Sequence, residues 1–156
     1  MRIGHGYDAH RFGGDRTFVI GGVRIPHSVG IYAHSDGDTL AHAVIDALFG
    51  AAGLPDIGAA YPDKDPKYDG ADSMFLLKDA VSRVETAGFS LSYLDCTIVA
   101  QAPKMGPYIQ QIRLNLANAC GVDVSRVNVK ATTEERMGFT GDGTGLAAHA
   151  VCLLDE

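Results

Sequence analysis

Two residues near the start of the chain, Asp8 and His10, place a carboxylate and an imidazole two positions apart. On a β-strand, residues i and i+2 point to the same face, so these two side chains would lie next to each other. Carboxylate oxygens and imidazole nitrogens are common ligands of zinc. The pair is therefore half of a candidate metal site. An exposed polar strand edge is the alternative reading of the same pattern.

A third candidate ligand is His42, which lies four residues from Asp38 on one side and from Asp46 on the other. Residues four apart share one face of a helix, so Asp46 is expected to orient the imidazole from outside the metal site. Together, Asp8, His10 and His42 would supply three ligands and leave a fourth position for substrate, as catalytic zinc sites do. A solvated polar stripe on the helix is the alternative.

Two segments on either side of this histidine carry groups suited to a phosphorylated sugar. His34 and Ser35 stand just before the expected helix, whose free N–H groups would favour an anion. The acid-rich stretch 55–70 follows the helix, and its carboxylates could accept hydrogen bonds from hydroxyls or bind a hard cation. A simple helix cap and a solvated turn are the respective alternatives.

Two further segments, 100–105 and 130–135, each follow an apolar run that predicts a buried strand. Loops at strand ends are usual positions for ligands in sheets with helices. The small residues of segment 100–105 leave room for a flat ring. The hydroxyls and acids of segment 130–135 suit a phosphate that carries a divalent ion. Neither segment is a P-loop.

Composition limits the kinds of partner. The 156 residues are 46% hydrophobic and 21% charged with a net charge of −6, which predicts one globular domain, 1–156, and argues against a nucleic-acid partner. Cys96, Cys120 and Cys152 form no CxxC pair, and no apolar run or leader pattern predicts a membrane partner or export. We therefore expect a cytoplasmic protein. An acidic protein that handles several phosphates needs metal ions to neutralise them.

Strands and helices alternate along the chain, which predicts an α/β or α+β fold. Strands are predicted at Arg2–Arg11, Leu91–Gln101, Val127–Ala131 and Leu146–Leu154, with a hairpin of Thr17–Ile20 and Val23–Ile25 around Gly21–Gly22. Helices are predicted at Asp38–Ala52, Asp72–Ala87 and Pro107–Ala119. The stretches Pro55–Gly70 and Glu134–Gly145 are predicted to be a long loop and a polar turn region.

Nine motifs occur in one order over nearly the whole chain: GHGYDAHRF, IGGVRIP, HSDGD, DIG, YPDKDP, GADS, VAQAPKM, VNVKATTEE and MGFTG. This series resembles the 2-C-methyl-D-erythritol 2,4-cyclodiphosphate synthase family. The resemblance implies a homotrimer of small subunits, each a mixed sheet with helices packed on one side, and active sites between subunits. It implies a metal-dependent lyase of the non-mevalonate isoprenoid pathway. The substrate would be 4-diphosphocytidyl-2-C-methyl-D-erythritol 2-phosphate, and the products the cyclodiphosphate and CMP.

The same resemblance implies residue roles. Asp8, His10 and His42 match the ligands of one zinc per subunit, and Glu135 matches a ligand of a second ion, magnesium or manganese. His34 and Thr133 match residues that stabilise the transition state. The positions that match the substrate pocket are Ser35, Asp56, Ile57, Gly58, Tyr61, Pro62, Asp63, Asp65, Ala100, Pro103, Lys104, Met105, Gly106, Ala131, Thr132 and Phe139.

Four positions depart from the family pattern: Tyr7, Gly106, Asp142 and Thr144. Relatives with arginine at the position of Asp142 can hold an isoprenoid diphosphate on the threefold axis, and a carboxylate would repel it. We therefore expect weak binding of such a ligand or none. A zinc hydrolase with a metal-bound water as nucleophile and a trimer that only binds metal or isoprenoid are the competing functions.

Overall fold

The computed structural model describes all 156 residues and contains one main sheet with the strand order β4-β1-β7-β5-β6. Its strands are β1 (Arg2–Gly14), β4 (Gly30–Ile31), β5 (Ser90–Val99), β6 (Val127–Thr132) and β7 (Gly145–Asp155), and β2 (Val19–Ile20) pairs with β3 (Val23–Arg24) in a separate hairpin. Only β5 and β6 pair in parallel. The predicted mixed sheet is confirmed.

The helices are α1 (Thr39–Ala52), α2 (Ile57–Ala60), α3 (Ser73–Thr86), α4 (Ile109–Cys120) and α5 (Gly138–Gly141). Helices α1 and α4 cover one face of the sheet and α3 packs against both, and on that face alternate residues of β7 such as Leu146, Ala148 and Ala150 are fully buried. The predicted packing of helices on one side is confirmed. The opposite face is uncovered in the single chain and exposes Ile3, Tyr7, Tyr93 and Val151. No helix combines the length and the apolar character needed to span a membrane.

Helix α1 lies unusually close to β1. A Cβ atom added at Gly6 would be 1.8 Å from the carbonyl oxygen of Ala43, and one added at Gly4 would be 1.9 Å from that of Ala47. Only glycine permits this approach, because a contact that short with backbone has no room to relax. The close contact brings the first turns of α1 over the part of β1 that carries Asp8 and His10.

Asp38 fixes the start of α1. Its buried carboxylate accepts hydrogen bonds from the N–H groups of Ala41 at 3.0 Å, Gly21 at 2.9 Å and Gly22 at 2.7 Å. Both glycines have positive φ, 54° and 73°, which suits the tight turn between β2 and β3. Burial raises the pKa of Asp38. One side chain therefore caps the helix and anchors the hairpin.

Two expectations about irregular segments were wrong. The stretch Pro55–Gly70 contains α2 and a 3-10 turn at Pro66–Tyr68, and Glu134–Gly145 contains α5. Aspartates at the start of these two short turns stabilise them. Asp56 accepts a hydrogen bond from Ala59 N at 2.8 Å, and Asp65 accepts one from Lys67 N at 3.1 Å. Such caps stabilise single turns that are too short to show a periodic pattern.

Candidate metal centre and active-site cavity

The structure brings the three predicted metal ligands together. Asp8 and His10 lie on the helix-facing side of β1, and His42 reaches them from the first turns of α1. Asp8 Oδ2 is 3.1 Å from His10 Nδ1 and 3.0 Å from His42 Nδ1, and the ligand atoms of all three residues lie within 4.8 Å of one another. One carboxylate oxygen and two imidazole nitrogens form a donor set that fits a divalent metal ion.

The electrostatics of this triad favour positive charge at its centre. Burial raises the pKa of Asp8, but hydrogen bonds and charge interactions with His10 and His42 outweigh it and lower the pKa to about 2. Burial lowers the pKa of His42, and Asp8 reverses this and raises it, with further contributions from Asp38 and Asp36. Asp8 is therefore an ionised ligand at neutral pH, ready to accept a cation.

A serine and an aspartate fix the orientation of His42. Ser73 Oγ donates to Asp36 Oδ1 at 2.5 Å and lies 2.8 Å from His42 Nε2. The single hydroxyl proton of Ser73 is committed to Asp36, so Ser73 accepts the Nε2–H of His42. This arrangement keeps Nε2 protonated and directs Nδ1 of His42 toward Asp8, so Nδ1 is the nitrogen that can give up its proton to a metal ion.

Ser73→Ala is expected to weaken metal binding by about 10- to 100-fold, because the imidazole loses the partner that fixes its tautomer. Metal affinity is measured by competition with a coloured chelator. Ser82→Ala on the exposed side of the same helix is the matched control and should leave the affinity unchanged. Equal affinities in the two variants would rule out this role of Ser73.

Asp46 occupies a different place from the one predicted. Its carboxylate accepts a hydrogen bond from Ile57 N at 2.8 Å, and the second ring nitrogen of His42 contacts Ser73 and Ser35 instead. The prediction that Asp46 orients His42 is therefore wrong as a hydrogen-bond assignment. Asp46 is one turn further along α1, at the level where α2 begins, so it holds α2 in place.

A cavity of about 300 Å³ opens above the triad. Among the predicted residues, His34, Ser35, Ile57, Gly58, Tyr61 and Asp63 line it together with Asp8, His10 and His42. Nε2 of His34 is buried and has no hydrogen-bond partner, so it can donate to or accept from a ligand. Ala33, Tyr68 and Leu76 complete the wall, and no sequence signal had pointed to them.

Tyr61 contributes its ring to the cavity wall, and its hydroxyl group is bonded to another side chain of the protein. Its buried ring lines the cavity, but its OH donates to Asp79 Oδ2 at 2.7 Å, and the same carboxylate accepts from Arg83 Nε at 2.7 Å. Pro62 and Asp65, which were predicted to bind substrate, are not part of the cavity wall. Asp65 caps the 3-10 turn that carries Tyr68, so it supports the site from behind.

Family comparison agrees with this geometry, since the YgbB family model matches residues 1–155. The chain belongs to the YgbB family. A relative from Trichlorobacter lovleyi named 2-C-methyl-D-erythritol 2,4-cyclodiphosphate synthase is 57% identical over 154 residues, which are 99% of this chain and 98% of the relative.

Two solved structures share the fold of this chain. The bifunctional IspDF of Campylobacter jejuni matches with a TM-score of 0.94 and 45% identity over 98% of this chain, which spans 42% of that longer protein. IspF of Plasmodium falciparum, in complex with CDP, matches with a TM-score of 0.85 and 31% identity over 98% of this chain and 94% of that one. The YgbB fold is therefore established independently of the motifs.

Asp56 caps α2, and the remaining predicted residues of this YgbB family member lie toward the opposite edge of the sheet, where β5 and β6 end and in the segments that follow them. In the sheet register Asp8 lies opposite Ala148, Ala148 opposite Ile98, and Ile98 opposite Ala131. Three strand spacings of about 4.8 Å therefore put Asp8 and Ala131 roughly 14 Å apart in one subunit. We call this second group the distal cluster: Ala100, Pro103, Lys104, Met105, Gly106, Ala131, Thr132, Thr133, Glu135 and Phe139.

The turn after β6 presents Glu135 in an unusual backbone conformation. Glu135 and Arg136 have φ values of 51° and 66°, which non-glycine residues rarely adopt. Thr133 Oγ1 donates to Glu135 Oε1 at 2.9 Å, and Gln101 Oε1 accepts from Arg136 N at 3.1 Å. Glu135 is not among the clustered ligands of the triad.

Proposed function

We propose that this protein is a phosphorus–oxygen lyase that converts 4-diphosphocytidyl-2-C-methyl-D-erythritol 2-phosphate to the 2,4-cyclodiphosphate and CMP. The observation that carries the proposal is the triad at the floor of a cavity, in a chain 57% identical to a relative with the synthase name. An oxygen of the substrate's 2-phosphate forms a bond to the β-phosphorus. The bond from that phosphorus to the α-phosphate oxygen breaks, and CMP leaves with the electron pair.

Two divalent ions fit the donor groups. Zinc would be held by Asp8, His10 and His42, and magnesium or manganese by Glu135 together with the substrate's phosphates. Such ions offset the negative charge that develops on phosphoryl oxygens. The chain, with a net charge of −6, has no surplus of basic side chains to supply that neutralisation.

The protein's own groups orient the substrate. The nucleophile is a phosphate that is already ionised, so the reaction needs no strong general base. His34, with its unpartnered buried Nε2, and Thr133 are proposed to hydrogen-bond phosphate oxygens in the transition state. Ser35 and Asp63 hold the methylerythritol part folded for attack, which converts the reaction into a well-oriented intramolecular one.

Phosphorus NMR of the purified protein with the cytidine diphosphate substrate and Mg²⁺ tests the activity directly. The proposed function gives one equivalent of CMP and one of a cyclic product with two coupled phosphorus signals. A hydrolase acting through a metal-bound water gives inorganic phosphate or an open-chain product. The second outcome would replace the proposed function with hydrolysis.

We further propose a homotrimer whose active sites each combine the triad of one subunit with the distal cluster of its neighbour. The uncovered face of the sheet exposes Ile3 and Tyr7, with exposed fractions of 70% and 46%, close to Tyr93 and Val151. A group of exposed apolar side chains of this size favours contact with other subunits. The separation of roughly 14 Å between Asp8 and Ala131 is the second argument, since a neighbouring subunit can bring a distal cluster nearer.

Mixing two inactive variants tests the shared site. Asp56→Ala and Lys104→Ala are expected to be nearly inactive alone, because each removes a proposed contact to the substrate. Mixed trimers contain interfaces in which an intact Asp56 of one chain faces an intact Lys104 of another, so activity should return. Mass spectrometry verifies the mixing, and verified mixed trimers without activity would contradict a site shared in this way.

The position of Asp142 leads to a proposal about isoprenoid diphosphates. Asp142 is fully exposed after α5, and a hydrogen bond with Thr144 lowers its pKa, so it is ionised. Three such carboxylates around a threefold axis would repel a diphosphate. We expect calorimetry with geranyl diphosphate to show little or no binding, and Asp142→Arg to create it. Tight binding by the unmodified protein would overturn the charge argument.

We also propose that the protein is located in the cytoplasm. Cys96, Cys120 and Cys152 are buried free thiols, and no disulfide forms among them. Burial raises the pKa of the Cys120 thiol to about 12, which suppresses its reactivity. Unpaired cysteines are typical of proteins that stay in a reducing compartment.

A further inference from the structure

Two histidines form a pair on the uncovered face of the sheet. His5 on β1 and His149 on β7 are diagonal neighbours, since His5 lies opposite Val151 and Tyr7 lies opposite His149. His5 Nε2 is 3.1 Å from His149 Nδ1. The Tyr7 ring packs beside the pair, with its centroid 4.9 Å from that of His149.

This pair is separate from the active-site triad. His5 and Asp8 are on β1 at odd and even positions, so their side chains point to opposite faces of the sheet. Neither histidine has another hydrogen-bond partner in the chain. The nearest acid on the same face of β5, Asp95, is paired with Lys130 at 2.6 Å and with Asn128 at 2.8 Å. The two imidazoles therefore have only each other.

We propose that His5 and His149 form a second metal site, specific for a transition-metal ion that prefers nitrogen ligands, of which Cu²⁺ is the best match. At a metal–nitrogen distance of about 2.1 Å, the 3.1 Å separation of the two nitrogens subtends an angle of about 95° at the ion. That angle is close to the right angle of square-planar and tetragonal ions, and smaller than tetrahedral zinc prefers.

Little rearrangement is needed for the pair to chelate an ion. The ring planes are inclined by 34°, and the exposed side chain of His5 can turn so that both lone pairs converge on one point. The ion takes the place of the proton between the two rings, that proton moves through solvent to the other ring nitrogen of the imidazole that donated it, and water completes the coordination of the ion. Copies of the pair in other subunits could also supply ligands, because the pair lies on the face proposed to join subunits.

Electron paramagnetic resonance and calorimetry test the site in protein whose triad is already loaded with zinc. Cu²⁺ is added to the assembled protein and, separately, during refolding, so that contacts between subunits do not hide the face. The expected result is an additional Cu²⁺ with nitrogen hyperfine splitting from imidazole. His5→Gln and His149→Gln should each abolish it, and Tyr7→Phe, which keeps both imidazoles, should retain it.

Zinc content and lyase activity are measured in the same samples, so displacement of zinc from the triad is detected separately. Absence of an additional Cu²⁺ in the unmodified protein would overturn the proposal. Equal Cu²⁺ binding in His149→Gln would also overturn it, because the copper would then be bound elsewhere. Neither result would affect the assignment of the lyase activity.

Discussion

His42→Ala is expected to abolish metal binding at the triad and to reduce turnover by on the order of 10³-fold. His42 is proposed to supply one of the three ligands, and its Nδ1 lies 3.0 Å from the Asp8 oxygen that would bind the same ion. Loss of the ion removes the charge that stabilises the phosphoryl oxygens, and no other group replaces it. Elemental analysis gives the zinc content, and phosphorus NMR gives the rate.

His27→Gln is the matched control for this variant. His27 packs against Phe12, with ring centroids 4.8 Å apart, and is not part of the cavity wall. The control should keep full zinc and most of its activity. If His42→Ala retained full zinc occupancy, the ligand assignment would be wrong; if it lost zinc and kept its activity, the catalytic role of the ion would be wrong.

Gly6→Ala is expected to lower the free energy of unfolding by about 3 kcal/mol or more, the upper range for overpacking. The added methyl group would lie 1.8 Å from the carbonyl oxygen of Ala43, so α1 must move away from β1. The shift also displaces His42, so metal affinity should fall together with stability. Urea unfolding of both proteins, with an unchanged slope, measures the effect.

Gly50→Ala gives a control with the same chemical change in the opposite environment. Gly50 lies within α1 and is exposed, and an added Cβ there would meet no atom within 4 Å. Because alanine is the better helix former, this variant should be about 0.5–1 kcal/mol more stable. Similar stability changes in both variants would show that close approach does not explain Gly6.

The sequence was sufficient to predict those parts of the fold that depend on local pattern. Apolar periodicity from Leu40 to Leu48 predicts α1, and the paired glycines Gly21 and Gly22 predict the hairpin. The two-residue spacing of Asp8 and His10 places both on one face. These signals act over a few residues, so they are readable without tertiary structure.

The convergence of distant groups was not readable in the same way. Ser73 is 31 residues from His42, and nothing in its sequence context indicates the contact that the packing of α3 against α1 creates. Asp46 shows the opposite error, because a shared helix face with His42 suggested a contact that α2 took instead. The role of Glu135 was predicted only through the family resemblance. Its left-handed backbone conformation depends on the turn after β6, and a glutamate in the sequence does not indicate such a turn.

The carboxylate of Asp38 makes the folding of two elements mutually dependent. Only one of its three hydrogen bonds is local to α1, and the other two come from a hairpin that precedes the helix by 16 and 17 residues. Until β2 and β3 dock, the charge lacks two of its donors. Once the strands dock, the carboxylate of Asp38 is buried, and loss of either the helix or the hairpin would leave it without some of its hydrogen-bond donors. Helix, hairpin and the histidine one turn into α1 should therefore order cooperatively, in a single step, and the metal centre should be absent from any partly folded form.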